Sequence, residues 1–180
     1  MNPVAPLLVS GILMGLGATL AFDLWALFLK RTFQVTPSNI CLVGRWLRYM
    51  PGGTLTHANI GAAQPKRLEC VVGWIAHYLI GAGFGLAFVA VAGFSWLQHP
   101  TPLPALAYGV ATVLAPFLIM QPAMGLGVAA SRSPRPWQAR LRSVLNHMAF
   151  GGGLYLSALL LDAAARGSCA YADGLCTLLA

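Results

Sequence analysis

The sequence predicts an all-α integral membrane protein: a four-helix bundle with a kinked or broken third helix and an interfacial helix in the first cytoplasmic loop. Three observations predict it. Of the 180 residues, 58% are hydrophobic and only 8% charged, whereas a soluble domain carries about 25% charged residues. Four apolar runs, at about 6–29, 71–94, 103–130 and 144–161, have the length needed to cross a bilayer. The basic residues stand beside these runs, the pattern that sets membrane orientation. The net charge of +7 is therefore assigned to orientation and lipid headgroups, and no nucleic-acid partner is expected. Residues 1–162 form one membrane domain, and 163–180 a short extracytoplasmic tail.

The first run ends at Lys30-Arg31. It lacks a positive n-region before its apolar stretch, so it is expected to be a retained helix and not a cleaved signal peptide. Gly11 and Gly15 form a GxxxG pair for close helix packing. Asp23 interrupts the run two turns before its basic end. A carboxylate at that depth is costly unless it faces a partner or water. In the loop 30–69, Ser38 or Asn39 can cap a short helix through Met50, with Ile40, Val43, Trp46, Leu47 and Met50 at helical spacing and Arg45 and Arg48 interleaved. His57, in a Gly- and Thr-containing stretch, reads as a solvated loop histidine.

The second run, Val71 to Phe94, carries no charge. Gly73, His77, Gly81 and Gly85 are spaced by four and share one stripe, which turns the histidine toward protein. A hairpin loop, 95–102, follows with an interfacial Trp96. The third run would measure ~42 Å as a straight helix, more than the bilayer core requires. Pro116 and Pro122 each remove a backbone donor, so a break is expected near Gln121-Pro122. The fourth run repeats the second: His77-Tyr-Leu-Ile-Gly81-Ala-Gly83 is echoed by His147-Met-Ala-Phe-Gly151-Gly-Gly153. The two helices run in the same direction and should pack together or around a shared centre.

The loop 30–69 holds six basic residues and the stretch 131–143 four, against none in 95–102. Both basic segments are therefore expected in the cytoplasm and both termini outside. Cys169 and Cys176 would then lie in an oxidising compartment and can form a disulfide. Cys41 and Cys70 would be ordinary small hydrophobes on the reducing side.

Counting ~1.5 Å per residue from the basic ends, Asp23, His77 and His147 reach a common depth, which Gln121, Met124 and Asn146 approach. Three functions fit such a polar layer. One is a site near the cytoplasmic side that binds or transports a small solute, a cation or protons. Another is a structural or accessory subunit of a membrane complex, its polar residues joining helices. The third is haem or divalent-metal binding through the two histidines, with or without Asp23, although no dense ligand motif requires a cofactor. No GxSxG, HExxH or phosphate-binding loop occurs, which points away from an enzyme. Expected partners are the lipid bilayer and a second copy or another membrane protein.

The run Phe117-Leu-Ile-Met-Gln121-Pro122-Ala-Met-Gly125-Leu-Gly127-Val-Ala-Ala-Ser131-Arg-Ser-Pro-Arg-Pro136, with Gly44-Arg45-Trp46 and Gly73-Trp74-Ile-Ala-His77-Tyr78 upstream, resembles the bacterial membrane family called domain of unknown function 2938. The resemblance covers roughly residues 3–162. It implies the four-span fold and a bacterial membrane location, and it supplies no catalytic residues.

Overall fold

The computed structural model describes residues 4–178, with side chains for residues 7–166. Four helical stretches are long and apolar enough to cross a membrane: Leu7–Phe33, Glu69–Gln98, Pro102–Ala123 and Pro136–Arg166. The protein is a multi-pass membrane protein with no strand among its described residues. The helices are α1 (Val4–Phe33), α2 (Ile40–Tyr49), α3 (Glu69–Gln98), α4 (Pro102–Ala111), the short α5 (Gln121–Ala123) and α6 (Pro136–Leu178). Between α4 and α5 the third span passes through a π-helical turn, Pro116–Met120. Proline there cannot donate to the ordinary ladder, and a wider turn accommodates it. The Cys169 and Cys176 side chains lie outside the described residues.

α1 is the central element. It packs against both α3 and α6, while α4 lies on α6 and α2 on α3. Glycines set these approaches. A Cβ on Gly85 would come within 2.6 Å of the Gly15 Cα, one on Gly15 within 2.7 Å of the Ala82 Cα, and one on Gly11 within 3.0 Å of the Leu86 Cα. On the other side, a Cβ on Gly153 would stand 2.7 Å from the Ala18 Cα, and one on Gly151 2.7 Å from the Ala105 carbonyl oxygen of α4. The two repeated helices thus share α1 as a common neighbour and scarcely touch each other. They also use the repeat differently, since Gly83 faces open space while its counterpart Gly153 is packed. The enclosed core contains Met14, Ala18, Phe88, Phe150 and Leu154. Tyr108 donates to the Phe84 carbonyl at 2.9 Å and closes α4 against α3. α3 kinks at Gly93, at φ 78° and ψ 171°, and resumes to Gln98, where Trp96 turns inward against Phe88 with ring centroids 4.8 Å apart.

The basic end is held by a buried ion pair. α2 begins at Asn39, whose side chain accepts from the Cys41 amide at 3.0 Å. Nearly two turns on, Arg45 is only 9% exposed, not a solvated residue between apolar ones. It donates two bonds of 2.8 Å to the Glu69 carboxylate and a third, of 2.9 Å, to the Ala63 carbonyl. The adjacent carboxylate raises the Arg45 guanidinium above its ordinary value. Glu69 also accepts from the Lys66 amide at 2.8 Å, fixing the entry to α3. Close beside this pair, Cys41 and Cys70 form a disulfide with Cα atoms 4.0 Å apart. The expectation that they are separate thiols is corrected. Gly44 and Gly73, which admit no Cβ at their mutual contact, bring the starts of α2 and α3 together although the cysteines are 29 residues apart in sequence.

The rest of the loop covers the end of the third span. The His57 amide donates to the Ala123 carbonyl at 2.8 Å and the Ile60 amide to Met124 at 3.1 Å. Gly125, at φ 91°, meets the Ala58 carbonyl so closely that a side chain could not enter. His57 is not solvated as expected. Its ring packs 4.8 Å from that of Tyr49, and both ring nitrogens are enclosed without a partner.

Replacing Gly81 by Leu should lower stability by about 1–3 kcal/mol or more through overpacking against Thr19 and Gly15. Gly83→Leu, two residues away and facing open space, should leave thermal unfolding in detergent nearly unchanged. Equal losses at the two positions would contradict the α1–α3 contact described here.

Candidate functional site

A carboxylate inside an apolar helix needs partners, and α3 supplies two. The Asp23 Oδ1 lies 3.0 Å from His77 Nε2, and its Oδ2 accepts from the Tyr78 hydroxyl at 3.0 Å. The Asp23 and His77 side chains are 23% and 18% exposed. Consecutive residues of a helix diverge by about 100°, yet His77 and Tyr78 both reach Asp23 because it faces the middle of their arc. The Phe22 ring touches the edges of both histidines, with centroids 5.5 Å from His77 and 5.8 Å from His147.

His147 does not join Asp23. Its Nδ1 lies 2.8 Å from the Thr112 Oγ1 at the end of α4. The expected convergence therefore divides into two centres on either side of Phe22: Asp23–His77–Tyr78 and His147–Thr112. Gln121 and Asn146 are buried at 7% exposure, with Oε1 and Oδ1 unpartnered, and neither lines the cavities described below. Among the described residues no group of three His, Cys, Asp and Glu could hold a metal ion. The two-histidine, one-carboxylate metal set is thus not assembled.

Two cavities meet at His77. The larger, of 390 Å³, lies between α1, α2, α3, the third span and α6 and opens to the surface beside Ile80 and Ile119. Phe22, Trp46, Phe84 and Phe150 give it aromatic walls, and His77 and His147 stand among them. The apolar face of α2, with Ile40, Val43, Trp46 and Leu47, forms one side. Trp46 is oriented by its indole N–H, which donates to the Leu55 carbonyl at 2.8 Å. The smaller cavity, of 230 Å³, is lined by Asp23, Lys30, Ser38, Trp74 and His77. Phe22, Ile40 and His77 belong to both.

Depth counting along the sequence finds Asp23 and the histidines. It misses Tyr78, Thr112 and Trp46, since none differs in type or spacing from an ordinary packing residue. The nearest signal is the Tyr78 hydroxyl beside His77 within an uncharged run.

Comparison with known proteins adds one finding. A family model described as protein of unknown function (DUF2938) matches residues 12–161. No curated protein and no solved structure matches the chain.

The lid formed by α2 depends on the Arg45–Glu69 pair. Glu69→Gln should destabilise the protein by about 3–5 kcal/mol, because a buried guanidinium loses its carboxylate. The double variant Arg45→Met/Glu69→Leu should recover most of that loss, as read by thermal unfolding and by protease cleavage within 53–68.

Proposed function

The chain belongs to this family of proteins of unknown function, and within it we propose a small-solute or proton binding and transport role centred on Asp23 and His77. The observation that carries the proposal is the position of His77 in the wall of both cavities, with Asp23 bonded to its Nε2 and lining the smaller one. An imidazole has two nitrogens, so it can take a proton on one side and give one up on the other. In the neutral ring bonded to a carboxylate, Nε2 carries the hydrogen and Nδ1 is the acceptor. A proton accepted at Nδ1 allows the Nε2 hydrogen to pass to Asp23, and the ring then returns by rotation or exchange. Intramembrane acid and histidine pairs are the usual parts of such relays. Lys30 and Ser38 give the smaller cavity a polar rim, whereas apolar and aromatic side chains dominate the wall of the larger one.

We further propose a bacterial inner-membrane location with the basic end in the cytoplasm and both termini outside. Ten of the eleven Lys and Arg residues fall in 30–69 and 131–143. The two segments meet where Arg142 donates to the Thr36 carbonyl at 2.6 Å. Loop charge sets orientation in segments this short. The Cys41–Cys70 disulfide stands at the same end and favours the opposite assignment, because cytoplasmic thiols are kept reduced. We give loop charge the greater weight, and the pair in cells is then expected to be reduced.

In reconstituted vesicles, proton flux should fall to background for Asp23→Asn and His77→Ala while both variants insert and unfold cooperatively. An accessory subunit predicts the opposite: no flux from the native protein, and loss of folding in the variants. For orientation, a membrane-impermeant maleimide should label Cys41 and Cys70 only after permeabilisation and without added reductant. Labelling in intact cells after external reduction would reverse the topology.

A further inference from the structure

The larger cavity presents two imidazoles whose hydrogens are already committed. His77 directs Nε2 to a carboxylate oxygen at 3.0 Å, so Nε2 carries a hydrogen. At His147 the tautomer follows from Thr112. That hydroxyl has one hydrogen, donated to the Gly109 carbonyl at 2.5 Å. The 2.8 Å contact between Thr112 Oγ1 and His147 Nδ1 must then take its hydrogen from the ring. When the rings are neutral, His77 Nδ1 and His147 Nε2 are the free lone pairs, and neither has a protein partner among the described residues. Thr19, the other polar residue in the wall, spends its hydroxyl hydrogen on the Gly15 carbonyl at 2.8 Å. With both rings neutral the walls offer acceptors and aromatic surface, and no Lys or Arg stands among the lining residues.

We propose that this cavity takes an uncharged aromatic alcohol: an apolar ring body with a phenol-type hydroxyl that donates to His147 Nε2 or His77 Nδ1. This rests on the cavity being a binding site, as proposed above, and names its ligand class. A 390 Å³ cavity holds a molecule of one or two fused rings, at the small end of ligand pockets. The aromatic walls suit stacked or edge-on rings. A ligand that offers only acceptors would leave both lone pairs unpaired against its own, which costs more than a merely absent bond.

The test uses the full chain in nanodiscs, titrated with radiolabelled 1-naphthol and with 1-methoxynaphthalene, which share the ring system and differ in the O–H. Saturable binding of 1-naphthol at one site per chain is expected, about fivefold to tenfold tighter than the ether, the range of one net hydrogen bond. His147→Phe should shrink that preference to within about twofold. Thr112→Val removes the group that holds the hydrogen on Nδ1. It should weaken or reverse the preference, and it decides the matter if His147→Phe does not fold. Equal binding of the two probes by the native protein, absence of saturable binding, or an unchanged preference in the variants would overturn the proposal. Proton flux is measured separately. Lost preference with flux intact removes the ligand class alone, and intact preference without flux removes the transport role alone.

Discussion

Close approach of α1 to two helices at once is the constraint on which the rest of the structure depends. In a bilayer no hydrophobic force draws helices together, so contact rests on packing and on polar groups that find partners. Gly15 and Gly85 bring α1 to α3, and Gly153 brings α6 to Ala18 on another face of α1. Only at such separations can Asp23 meet His77 and Tyr78 directly. The same approach places Phe22 between the two histidines. A wider spacing would put the carboxylate in hydrocarbon with no partner, an arrangement that membranes do not tolerate cheaply.

The polar groups then decide what the interior can do. Asp23 engages Nε2 of His77, and Thr112 engages Nδ1 of His147. Each pairing leaves the opposite ring nitrogen facing an apolar space. The result is an interior in which aromatic surface dominates and the few polar atoms have fixed roles. α2 completes that interior from outside the bundle of spans, clamped by the Arg45–Glu69 pair.

The four spans, the short helix after Asn39 and the partnership of Asp23 with His77 are legible because each follows from local rules: apolar length, a capping side chain, and the cost of a charge at depth. The division of the polar layer is not. Thr112 captures His147 through a contact between residues 35 apart, and an apolar third span gives no hint of which hydroxyl faces inward. Gln121 and Asn146 share the right depth but point elsewhere, since depth fixes height along a helix and not rotation about it. Arg45 looks like half of a solvated basic face, because its partner Glu69 lies beyond a loop without regular structure. The disulfide escapes notice for the same reason, and because loop charge assigns its cysteines to a reducing compartment.

The bonds from His57 and Ile60 to Ala123 and Met124 bear on how the chain is made. The loop that donates them is synthesised before the third span that accepts them. While the second span inserts, the loop's amides have no mate except water. The last carbonyls of the third span likewise lack ordinary helical partners, because Gly125 turns the chain away at φ 91°. That span is therefore completed not by its own continuation but by an earlier segment of the chain. Folding thus includes a docking event, in which an earlier piece of the chain receives the end of a later one.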